Sequence, residues 1–146
     1  MFNIVEIPQK PIFQALICAV LALITFVIIK IVSVNQTIDP NLYWTLGGTT
    51  ILLYTVLNTT YGTRADNMKQ YWFHSVYSFI ALFLFSLYTP KILSGISIGE
   101  SKSFGKIYIV LVFCYFLFFS MTMIIKRLWI FFEAENDAKL KKDGML

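Results

Sequence analysis

The single histidine, His74, is followed directly by Ser75, and a serine beside an imidazole is the first place to look for nucleophilic chemistry. A triad also needs a buried acid to orient the imidazole, and consecutive helix residues point about 100° apart, so adjacency in a helix does not assemble one. Haem ligation by His74 would need a second axial ligand, which a chain with one histidine must take from a methionine or a partner. Beside Tyr71, Trp72, Ser75 and Tyr77, His74 reads as an interfacial, hydrogen-bonded residue, and a lipid or quinone contact centred on it is the alternative chemistry. Cys18 and Cys114 both fall inside apolar runs and match no zinc-ligand spacing, so they read as small packing residues. The chain has no Gly-x-Ser-x-Gly, no HExxH and no phosphate-binding glycine loop, and Gly47-Gly48 lies within an apolar run rather than at a strand-to-helix turn. These residues predict neither an enzyme nor a bound cofactor or metal.

The elements that must carry them are apolar. The 146 residues are 58% hydrophobic and 14% charged, too little polar surface for a water-soluble globule, in which about a quarter of residues are charged. The apolar residues gather into four blocks, about 11–34, 42–60, 71–89 and 106–130, and a helix needs roughly 20 residues to cross a hydrocarbon core. Unpaired backbone amides are costly in lipid and the blocks lack strand-like alternation, so each block predicts a helix. The expected fold is an all-α membrane protein: one domain, 1–146, with four transmembrane helices in a bundle. A cleaved secretory signal is the competing reading of the first block, but the stretch is long for a signal core and its exit, Ile31 to Asn35, lacks a pair of small residues. No internal repeat supports an inverted-repeat transporter.

With four spans, one side of the membrane receives Lys10, Arg64, Lys69, Lys126, Arg127, Lys139, Lys141 and Lys142, and the other receives Lys30, Lys91, Lys102 and Lys106. The positive-inside rule makes the richer side cytoplasmic and puts both termini there, as in a bacterial inner (plasma) membrane. Lys30, at the outer end of the first span, reads as a snorkelling side chain. The sequons at Asn35 and Asn58 fall against the membrane and on the cytoplasmic side, so neither reads as a glycan site. Asp39-Pro40 predicts a tight turn into the second helix, and Pro90 predicts the end of the third near Thr89. The third loop, 91–106, carries Ile92, Leu93, Ile96 and Ile98, a pattern that fits the outer interface or a partner's surface. No breaker follows the fourth span, so its helix should extend into the cytoplasm with Trp129 in the aromatic belt and 133–146 as a charged tail. Within that tail, Glu135 with Lys139 and Asp137 with Lys141 have i, i+4 spacing.

Three stripes of small or weakly polar residues mark faces that could meet other helices. Thr45, Gly48, Thr49, Thr55, Asn58 and Thr59 recur along the second helix, Gln14, Cys18, Ala22 and Thr25 along the first, and Ser75, Ser78 and Ser86 with Ala81 along the third. Such residues are the usual contacts of membrane helices, and a polar conduit is the sharper alternative. Phe79, Phe83 and Phe85, with Phe113, Phe116, Phe118 and Phe119, give the third and fourth helices bulky flanks expected to meet lipid or another subunit. Arg64, Lys69, His74, Lys126 and Arg127 gather at the cytoplasmic headgroup plane, where they read as topogenic charge or as contacts to anionic lipid heads. No Asp or Glu falls inside a span, which disfavours ion-coupled transport.

Many unrelated membrane proteins share four short spans with small loops, so the pattern alone licenses no activity. The expected role is a non-catalytic integral membrane subunit, or an assembly or stability factor of a larger complex, acting through helix packing. Its partners would be other integral membrane proteins and membrane lipids, not nucleic acid. The alternative is a small homo-oligomeric channel or transporter for a neutral or weakly polar solute.

Overall fold

The computed structural model describes residues 10–34, 37–65, 67–101 and 103–142, and only the backbone of 137, 138 and 140–142. Asn35 and Gln36 of the first sequon, Asp66, Lys102, the Asp137–Lys141 pair and the tail from 143 lie outside the described residues or side chains. The described residues form four helices, α1 (Pro11–Val32), α2 (Asn41–Gly62), α3 (Met68–Ser94) and α4 (Phe104–Lys142), and no strand.

Local chemistry sets the helix ends. Pro11 opens α1 after an extended Lys10, a position where the missing N–H is no loss. The Asp39 carboxylate accepts from the Asn41 backbone N–H at 2.9 Å, fixing the turn through Pro40 into α2. The Asn67 side chain accepts from the Gln70 N–H at 3.3 Å and starts α3. Gly95, at φ +73°, closes α3 in the left-handed conformation.

Pro90 does not end the third helix. α3 runs through it for another turn, to Ser94, because α4 replaces the hydrogen bond that Pro90 removes, as described below. The third loop therefore shrinks to 95–103. Its Ile96 and Ile98 pack on the core, and Ser97 binds Glu100 within a single turn. α4 is one unbroken 39-residue helix, about 58 Å long at 1.5 Å per residue, and Glu135 and Lys139 pair on it at 2.8 Å.

α2 is the hub, in contact with α1, α3 and α4, while α1 also packs along α3. The main core joins Trp44, Ile51 and Tyr54 of α2 with Phe79 and Leu82 of α3, Tyr108, Leu111 and Tyr115 of α4, and Cys18 of α1. Phe79 stacks on Tyr115 at 3.8 Å between ring centroids. Phe79 and Phe119 are thus interior residues rather than outward flanks, whereas Phe113, Phe116 and Phe118 are exposed. The helical period explains the split, since Phe119 lies one turn from Tyr115 on the buried stripe and Phe118 does not.

α1, α3 and the Phe104–Asn136 part of α4 are long and apolar enough to cross a membrane. α2 is not among them, because Thr, Asn and Gly dilute its apolar residues. Those residues are mostly the ones it turns toward its neighbours: Gly47, Gly48, Thr50, Thr55 and Asn58 are all buried. α1 does the reverse, burying only the narrow stripe Pro11, Gln14, Cys18, Ala22 and Phe26.

Candidate functional site

Two buried polar junctions hold α2, α3 and α4 together. The first lies at the C-terminal half of α2 and the N-terminal half of α3. Asn58 donates its side-chain N–H to the Ser75 hydroxyl, and that hydroxyl lies 2.6 Å from the Tyr115 hydroxyl of α4. Tyr71 donates to the Asn58 backbone carbonyl at 2.7 Å and lies 2.9 Å from its Oδ1. Tyr54 donates to the Ser75 backbone carbonyl at 3.0 Å. Asn58, Ser75, Tyr54 and Tyr115 are wholly buried. Each of these polar groups would be costly to leave unpaired in an apolar medium, and each finds its partner on a neighbouring helix.

The second junction lies at the opposite end. An α-helical carbonyl normally accepts from the N–H four residues on, and for Ser86 that residue is Pro90, which has none. The Tyr108 hydroxyl of α4 donates to the Ser86 carbonyl at 3.0 Å and lies 3.4 Å from the Trp44 carbonyl of α2. Gly47 makes room for it. A Cβ there would overlap the Tyr108 hydroxyl and stand 2.9 Å from the Ser86 carbonyl oxygen. At Gly48 the nearest atom, on Leu111, would be 3.4 Å away, an ordinary contact.

The residues singled out by sequence divide between interior and surface. Gly48, Thr55, Asn58, Ser75 and Ser78 are buried, but Thr45 and Thr49 are exposed. The Thr45, Thr49, Thr55 and Ser78 hydroxyls each donate to the carbonyl four residues earlier in their own helix, which spends their hydrogen-bonding capacity within the helix. Of the α2 set, only Asn58 bonds across to another helix. His74 is exposed, whereas Ser75 beside it is wholly buried. Arg64, Lys69 and Arg127 are exposed and Lys126 half-buried, and none of the four forms an ion pair among the described residues.

Gly47 and the four tyrosines 54, 71, 108 and 115 carry the junctions and are absent from the stripes read in the sequence. One signal was present: a phenol within an apolar helix must hydrogen-bond, so tyrosines inside spans mark helix contacts. Chemically, the junctions offer hydroxyls, an amide and backbone carbonyls, without an ionised group among the described residues. Such groups tie helices together.

Three helices fit to cross a membrane, with apolar surfaces turned outward, give the chain the character of an integral membrane protein. It matches no family model, no curated protein and no solved structure.

Proposed function

We propose that this chain is a four-span, non-catalytic integral membrane subunit or assembly factor, with both termini on the cytoplasmic side of a bacterial inner-type membrane. The observation that carries the reading is how the polar groups are used. The hydroxyls of Tyr54, Tyr71, Ser75, Tyr108 and Tyr115 and the Asn58 amide are consumed in junctions between the chain's own helices, and the interior between them is filled by stacked rings. Most of the surface that α1 and α4 turn outward to other molecules is apolar. The same allocation supports α2 as the fourth span. Its 22 residues hold no charged side chain. Thr50, Thr55 and Asn58 are buried against the other helices, and the exposed Thr45, Thr49 and Thr60 donate their hydroxyls to carbonyls of α2 itself, so neither set offers lipid an unpaired donor.

A photo-crosslinking residue placed at Phe113, which is 74% exposed on α4, tests the role in native membranes. The expected result is a discrete crosslink to another integral membrane protein. Crosslinks to lipid and to a second copy only would support the homo-oligomer instead.

A further inference from the structure

At the end of α1, beside the end of α3, the surface opens into a cleft of about 390 Å³ walled by Lys30, Ser33, Thr37, Tyr43, Leu93 and Ser94. Directly adjoining it, and sharing Lys30 and Leu93, is a groove of about 280 Å³ between Phe26, Val27 and Ile31 of α1 and Thr89 of α3. About one turn further along the same two helices lies a third groove, of about 410 Å³, between Ala15 and Ala19 of α1 and Ala81 and Phe85 of α3. The cleft is hydroxyl-rich with one cation, and the seam that leads away from it is apolar.

Two groups in the cleft are unspent. Lys30 has no carboxylate partner among the described residues. Tyr43 is only 4% exposed, lies against Phe26 at 6.2 Å between ring centroids, and has no hydrogen-bond partner for its hydroxyl among the described residues. A phenol O–H and an ammonium that share one cleft form a ready donor pair for an anion, and charge-assisted hydrogen bonds of this kind are the strong ones. Lys91, in the last turn of α3, adds positive charge at the same end.

We infer that this seam binds one anionic phospholipid, its phosphate held by Lys30 and Tyr43 and one acyl chain lying between α1 and α3. A free phosphate would use only the cleft, whereas the apolar seam that shares its walls favours an amphiphile. The inference rests on α1 and α3 spanning the membrane, as proposed above, and needs no protein partner.

The test is native mass spectrometry of the full chain, delipidated and titrated with phosphatidylglycerol or with a diacylglycerol that lacks the phosphate. One phosphatidylglycerol should bind in preference to diacylglycerol. Lys30→Gln should weaken it by about tenfold, and Tyr43→Phe, which keeps the ring against Phe26, by a smaller factor. Val27→Trp, at an exposed position in the groove wall, should weaken it too by occupying the chain's place. Circular dichroism identical to the parent establishes that each variant is folded. Equal binding of the two lipids, or unchanged binding by both Lys30→Gln and Tyr43→Phe, would overturn the inference. So would binding of inorganic phosphate that Val27→Trp leaves unaltered while no lipid is retained. Failure to find partner proteins would leave the lipid site standing.

Discussion

Pro90, Tyr108 and Ser86 form a small test of cause and effect. Tyr108 supplies the donor that Pro90 withholds from the Ser86 carbonyl, so Tyr108→Phe should cost about 1–3 kcal/mol, the usual penalty for a buried group left unpaired. In a Pro90→Ala background the new N–H can take the donor's place, and the same substitution should cost at least about 0.5 kcal/mol less. A double-mutant cycle by thermal unfolding in detergent measures the difference, and additive effects would disprove the replacement. Gly47→Ala should destabilise by about 1–3 kcal/mol through overpacking, while Gly48→Ala should stay within about 0.5 kcal/mol, because only the first Cβ meets Tyr108 and Ser86. Outside the spans, the Ser97 backbone N–H, and then its hydroxyl, hold the Glu100 carboxyl below its ordinary pKa. A lowered folded pKa means the turn is favoured above the ordinary carboxylate range and loses that support as pH falls through the lowered value. The protection of the Ser97 amide, its exchange taken relative to the intrinsic rate at the same pH, should fall over that acid window in the parent and stay level in Glu100→Gln. Residue types mark Asn58, Ser75 and Ser78 as helix-packing or partner-facing positions, and the three are buried in the fold. They could not separate Gly47 from Gly48, because that difference depends on which residue of α4 stands opposite.

The helices were legible as elements because apolar runs of this length have few other solutions in lipid. α1, whose surface is apolar on most sides, was the plainest, and its observed range begins at the expected residue. α2 was legible as a helix, but its moderate apolarity follows from its place at the hub. The end of α3 was misread because the local rule for proline takes no account of a tyrosine arriving from a helix later in the chain. α4 contributes to the core only as far as Thr122, and the described side chains beyond it, from Met123 to Asn136, are exposed apart from a half-buried Lys126. A chain ending at Phe132 should therefore unfold within about 0.5 kcal/mol of the full chain, since the described side chains it removes, Glu133 to Asn136 and Lys139, are exposed. A larger loss in detergent would mean that the extension packs on something within the protein.

For the whole molecule, the two junctions bond helix to helix while α1 and α4 present apolar side chains outward. Such surfaces need lipid or other membrane proteins around them. Sequence conveyed that balance through composition and the placement of charge, yet it could not convey which apolar faces are spent internally, because the period of a helix shows a stripe and not its neighbour. The proposed orientation predicts that cysteines introduced at Arg64 and Asn136 are labelled only from the cytoplasmic side and one at Gly99 only from the other. The role as a subunit is tested by gentle detergent extraction of the tagged chain from its own membranes, followed by native mass determination and peptide identification on the same sample. A stoichiometric assembly with other integral membrane proteins is the expected result. A species made only of this chain, whether single or multiple, would contradict it.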